Sequence, residues 1–167
     1  MSDSTLPENA PGDAAGGVLV IGYGNTLRSD DGVGPAVAER LAHDPRLEGV
    51  TVISCHQLTP EMALDFSRAR EVVLIDASHG PPAGSFTIGS VTDASPGTAL
   101  MTHHIDPSTI AELAGELYGS SPDLVVVRVG VASLDVGDRL TPEVEAAVPR
   151  IADTVAQLLT APDRARA

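Results

Sequence analysis

The run Val18-Leu19-Val20-Ile21, closed by Gly22 and followed by Tyr23-Gly24-Asn25, narrows the possible folds more than any other part of the chain. Four consecutive apolar residues without polar alternation suit a strand covered on both faces rather than one lying open to water. Helical spacing follows soon after in Val33, Ala36, Val37 and Leu41. The same alternation continues, with strands predicted at 50–54, 72–75, 85–91 and 124–129 and helical stretches in most of the gaps. A chain written this way folds as α/β, with a mainly parallel sheet between helices.

Three helix starts share one grammar. Thr59-Pro60-Glu61, Asp106-Pro107-Ser108 and Thr141-Pro142-Glu143 each set a capping side chain before a proline at the first helical position. Ile110, Leu113, Ala114 and Leu117 give the second of these helices an apolar stripe. Val144, Val148, Ile151, Val155 and Leu158 give the last one its own, with Pro149 expected to kink or divide it. No repeat or linker breaks residues 17–160, which read as a single domain. Residues 1–16, small, polar and rich in Gly and Pro, and residues 161–167 read as flexible tails.

A length of 167 residues suffices for one core without disulfides or a structural metal. Ten basic against twenty-three acidic residues give a formal charge of −13, and the chain has two Tyr, two Phe and no Trp. Such a surface repels polyanions and offers little for bases to stack on, so nucleic acid is excluded as a partner. The single cysteine, Cys55, rules out an internal disulfide and suits a reducing compartment. With no signal-peptide pattern and no apolar run long enough to cross a bilayer, no membrane is expected and a cytoplasmic location is.

In parallel sheets, ligands gather beyond the carboxyl ends of the strands. The first strand runs into Gly24-Asn25 and then Asp30-Asp31-Gly32, and the third runs directly into Asp76. If those strands are neighbours, their acids share one rim. Gly22 and Gly24 lack the third glycine of a dinucleotide fingerprint, since position 27 is Leu27, and a tight turn explains them better. Helix capping accounts for one of the two adjacent aspartates and leaves the other free. One of His103 and His104, or their rival His79, would complete two carboxylates and an imidazole, a set suited to a divalent metal with open positions. Cys55 beside His56 does not make a nucleophile pair, because neighbours on an extended strand point to opposite faces; Cys55 reads as a packing residue. No serine elbow and no zinc-protease helix motif is present.

Residues 18–34, Val-Leu-Val-Ile-Gly-Tyr-Gly-Asn-Thr-Leu-Arg-Ser-Asp-Asp-Gly-Val-Gly, resemble the opening of the hydrogenase maturation proteases, G-x-G-N followed by D-[DE]-x-x-G. The likeness continues in order through Gln57-Leu58-Thr59-Pro60-Glu61, Asp76-Ala77, His103-His104-Ile105-Asp106-Pro107 and Leu140-Thr141-Pro142-Glu143-Val144. It spans residues 18–159.

The resemblance implies a twisted, mainly parallel five-stranded sheet in a three-layer αβα arrangement. It also implies an endopeptidase that removes a C-terminal extension from the large-subunit precursor of a nickel–iron hydrogenase once nickel has been inserted. The family's metal-contacting residues carry over onto Asp31, Asp76 and His103, with Asp31 and Asp76 as the catalytic acids. Gly24, Asn25 and Asp30 are expected beside the substrate, and Asp30 is a candidate base. The nickel is that of the precursor rather than a resident cofactor, and a monomer is expected. Two readings of other classes stand beside this one, a metal-dependent hydrolase of a small substrate and a non-catalytic nickel-checking assembly module.

Overall fold

The computed structural model describes residues 16–93 and 105–162. The expected tails fall outside these residues, apart from Gly16, Ala161 and Pro162, and so do His103 and His104. Along the chain come β1 (Gly17–Tyr23), α1 (Val33–Ala42), β2 (Thr51–Cys55), α2 (Ala63–Arg68), β3 (Ala69–Ser78), β4 (Phe86–Ser90), α3 (Pro107–Tyr118), β5 (Asp123–Gly130) and α4 (Pro142–Thr160). The five strands form one sheet in the order β2-β1-β3-β5-β4. All neighbours are parallel except β4, which runs antiparallel along β5 at the edge.

Both faces of the sheet are covered. Val20, Val73, Ile75, Val127 and Val129 pack with α1 and α4 on one side, while Ile21, Leu74, Val72 and Val126 pack with α2 and α3 on the other. The unbroken apolar runs of β1 and β3 follow from this arrangement, because each strand is buried on both sides. Ile21, Leu74, Phe66, Ile110 and Ile151 are wholly buried, and each such side chain contributes ~1.5–3 kcal/mol.

Local expectations hold unevenly. Asp106 caps α3 as predicted, accepting from the Ser108 N–H at 2.7 Å. Thr59 makes no side-chain cap bond, and a 3-10 turn, Pro60–Met62, intervenes before α2. Thr141 makes no cap bond either, because its hydroxyl is engaged by Asp30. Pro149 does not divide α4, which runs through it from Pro142 to Thr160. Buried Val144 and Ala147 before it and Ile151, Ala152 and Val155 after it hold the helix to the sheet, which offsets the backbone bond that proline removes. Small alanines take part of the face expected for larger residues, and Leu117 of α3 is 62% exposed rather than buried.

The direction of the sheet reverses between β1 and β3. From β1 the chain passes through α1 on one face to β2, then returns over the other face through α2 to β3. A crevice outside the carboxyl ends of β1 and β3 is where this topology places a ligand.

Candidate active site

The segment after β1 is shaped by close backbone approaches. A Cβ on Gly22 would fall 2.0 Å from the Gly34 carbonyl oxygen, and one on Gly34 would fall 2.5 Å from the carbonyl oxygens of Tyr23 and Ile75. The start of α1 therefore lies directly against β1 and β3, a contact open only to glycine. Gly24 has φ +149°, and a Cβ there would meet the Asp31 carbonyl oxygen at 1.9 Å. The glycines of this motif are packing and turn residues.

Beyond Gly24 the chain folds back on itself. The Asn25 N–H donates to Asp31 Oδ2 at 2.8 Å, and Asn25 Oδ1 accepts from the Leu27 N–H at 2.9 Å. Asn25 thus closes the turn that presents Asp31. The loop then pairs with the one leading from β5 to α4. Ser29 N–H donates to the Gly137 carbonyl at 2.9 Å, Gly137 N–H to the Leu27 carbonyl at 3.0 Å, and Asp30 N–H to the Ser133 carbonyl at 3.1 Å.

Asp30 fastens this junction. Its Oδ2 accepts from the N–H groups of Ala132 (2.8 Å) and Ser133 (3.0 Å), and its Oδ1 from the Thr141 N–H (2.7 Å). The Thr141 hydroxyl donates to the same carboxylate at 2.9–3.0 Å. Burial alone would raise its pKa, but these donors outweigh it and hold the carboxyl below the usual range. Asp30 has no exposed surface and both its oxygens are engaged, so the structure places it in the loop junction rather than open to a substrate, where the sequence reading expected it. Its bonds stabilise the folded loops.

Asp76 occupies the eighth position of β3 rather than the residue after a strand, since β3 extends to Ser78. One step back along the paired strands, Gly22 is opposite Ile75, so Tyr23 and Asp76 stand side by side. Tyr23 also pairs with Cys55, and Asp76 with Arg128. Cys55, Tyr23, Asp76 and Arg128 therefore form one row across four strands.

The electrostatics of that row centre on Asp76. Burial pushes its pKa up; the neighbouring Tyr23 hydroxyl lowers it, the Asp31 charge raises it, and the Ala77 N–H and Arg128 lower it. The balance lies at about 7. Burial, then the Asp76 charge, lifts the Tyr23 phenol well above its ordinary value, so it remains a donor. Arg128 donates to the carbonyls of Ser90 (3.0 Å) and Val91 (3.3 Å), tying the row to the end of β4.

Asp31 and Asp76 thus share the carboxyl rim at the switch point, one charge acting on the other. The expected third ligand, His103, and its alternative, His104, lie outside the described residues. The exposed His79 does not complete the set, because among the described residues no three His, Cys, Asp or Glu side chains come together to hold a metal. Burial raises the Cys55 thiol pKa, the reverse of what a nucleophile needs. An open cavity of about 800 Å³ lies between the far end of α1 and α4, with Arg40, Asp44, Arg46 and Asp153 among its lining. Arg46 bridges Asp44 and Asp153 there at 2.7 and 2.8 Å, so these charges are paired with one another.

Sequence reasoning missed Tyr23, Arg128 and Thr141. Arg128 had a signal, a lone charge inside the apolar run Leu124–Val129. Tyr23 had none beyond lying between two glycines.

No protein-family model matches the sequence, and no curated protein matches it. Among solved structures, the chain is similar to the nickel–iron hydrogenase maturation protease HycI of Thermococcus kodakarensis. The two are 26% identical over 86% of this chain and 92% of that one, with a TM-score of 0.70. The hydrogenase 2 maturation peptidase of a Thaumarchaeota archaeon is 27% identical over 86% of this chain and 97% of that one, with a TM-score of 0.62. HybD of Thermococcus kodakarensis shares the fold at 21% identity, over 86% of this chain and 99% of that one, with a TM-score of 0.71. Fold and likeness together define an α/β endopeptidase. In fold and in sequence the chain is similar to hydrogenase maturation proteases. Among the described residues, no helix is long and apolar enough to cross a membrane.

Proposed function

We propose that this endopeptidase removes the C-terminal extension from the large-subunit precursor of a nickel–iron hydrogenase, and that Asp31, Asp76 and His103 recognise the nickel the precursor already holds. The observation that carries the reading is the pair of carboxylates at the switch point, with Asp76 held at about 7. Two neighbouring carboxyls resist being ionised together, so a proton resides on the pair near neutral pH. A dication presented by the client compensates both charges and displaces that proton. A nickel-free precursor brings no such charge, and discrimination follows from electrostatics alone. Within the assembled complex, the client's metal polarises the scissile carbonyl or a water beside it.

The test is the intact mass of nickel-loaded and nickel-free precursors after incubation with the enzyme. Shortening of the loaded form alone is expected, and Asp76→Asn abolishes it. Equal cleavage of the nickel-free form would refute nickel recognition. Undiminished cleavage by Asp76→Asn would refute the site.

A further inference from the structure

We propose that Tyr23 is the positioning residue of Asp76, its phenol holding the carboxylate in the orientation that faces Asp31. The inference deepens the reading of the rim as a nickel-recognition site and rests on it. Tyr23 ends β1 and Asp76 lies beside it on β3, where the Gly22–Ile75 and Ile21–Leu74 pairs fix the register and put both side chains on the α2/α3 face. Phenol and carboxylate are near enough for each to shift the ionisation of the other.

Tyr23 is itself rigid. It is 6% exposed and packed in the same core cluster as Ile21, Phe66, Leu74 and Ile110. A buried ring with two side-chain torsions, on a strand paired on both sides, cannot follow a wandering carboxylate, so the carboxylate follows it. In this role Tyr23 acts as a donor to an acid and has no need to touch the metal or the client. Groups of this kind, which hold a metal-contacting side chain from behind, typically change metal affinity or activity by 10–100-fold when removed.

Tyr23→Phe deletes one oxygen and keeps the ring in the core. Cleavage of nickel-loaded precursor is expected to fall about tenfold or more in kcat/KM, with an unchanged melting transition, because the ring still fills its place in the core. Asp76→Asn, run in parallel, separates the two readings. Loss of cleavage in Asp76→Asn with full activity in Tyr23→Phe overturns the role of Tyr23 and leaves the rim site standing. Full activity in both overturns the rim site as well.

A second measurement covers the case in which Tyr23→Phe folds poorly. The chain has no Trp, and its other tyrosine, Tyr118, is half-exposed on α3. In Tyr118→Phe the near-ultraviolet absorption therefore belongs to Tyr23 among the larger aromatics. Titrating that protein with Ni²⁺ alone should shift the tyrosine band as Asp76 exchanges its partners, and the added change Asp76→Asn should abolish the shift. A tyrosine band unmoved across the titration overturns the proposal.

Discussion

Asp30 and Asp31 are neighbours in the chain with opposite surroundings. Asp30 is wholly buried and accepts from Thr141, 111 residues further on, whereas Asp31 stands at the rim and accepts from Asn25, six residues back. The 3-10 turn Ser29–Gly32 that carries them directs one carboxylate into the loop junction and the other toward Asp76. One acid assembles the site and its neighbour faces into it.

Replacing Asp30 strands donors that have no other partner. Asp30→Ala should destabilise the fold by ~3 kcal/mol or more, since each buried unsatisfied group costs about 1–3 kcal/mol. Asp30→Asn should be nearly as damaging, because its amide meets N–H donors with an N–H of its own. The carboxyl pKa is lowered on folding. Its contribution is therefore present above the unfolded value of about 4 and is lost as pH falls through the folded one. Urea denaturation of wild type and Asp30→Asn against pH checks this, and equal midpoints at neutral pH would refute it.

Asp76 has the opposite linkage. Its folded pKa of about 7 lies above the unfolded value. Stability is therefore lost by ~1.4 kcal/mol per pH unit as pH rises from about 4 to 7, and the loss then levels off. Asp76→Asn cannot ionise. It should melt at the wild-type temperature near pH 4 and progressively above it toward pH 7, while losing cleavage. A variant less stable than wild type at pH 8 would contradict the raised pKa.

The glycines at the foot of α1 should be intolerant of any side chain. Gly22→Ala places a methyl group 2.0 Å from a backbone oxygen, and Gly34→Ala does so against two strands. Each should cost at least the upper part of the ~1–3 kcal/mol range for overpacking. Gly49→Ala, where φ is +87° but nothing lies within 4 Å, adds only local backbone strain and serves as the comparison. Thermal melts in the order Gly49→Ala above Gly22→Ala are expected, and the reverse order would refute the packing argument.

His103→Ala should abolish cleavage of the nickel-loaded precursor, and His104→Ala should leave most of it. The purified enzyme should also carry little tightly bound metal, because three ligands on an open rim hold an ion less firmly than a closed four-ligand cage. Elemental analysis after dialysis checks the second point. A stoichiometric metal surviving dialysis would favour a resident ion over the client's nickel.

Much of this fold is legible in the sequence because its signals are local. The apolar runs of β1, β3 and β5 and the proline helix starts mark the elements, and their alternation marks the parallel sheet. Boundaries blur where the chain keeps its apolar character, and Asp76 consequently lies within β3 instead of beyond it. Asp31 and Asp76 could be proposed as neighbours because each follows or ends a strand run. Thr141 and Tyr23 could not be assigned, since a threonine before proline looks like a cap and a tyrosine between glycines looks like packing. Their partners, Asp30 and Asp76, are distant in the chain, and only tertiary structure pairs them. The same distance explains why Asp30 looks free to contact a substrate until its donors on the β5–α4 loop are in place.

The junction between the two loops also sets when the enzyme can first become competent. Asp31 belongs to a turn whose neighbour, Asp30, receives donors 102 to 111 residues later in the chain. A nascent protein that has already made β1, α1 and β3 holds all the rim acids but lacks the strand and helix start that fix their loop. Nonlocal closure of this kind comes late in folding. A peptidase built this way is expected to gain activity only once its last third has left the ribosome, and a prematurely terminated chain carries the acidic residues without the donors that fasten their loop.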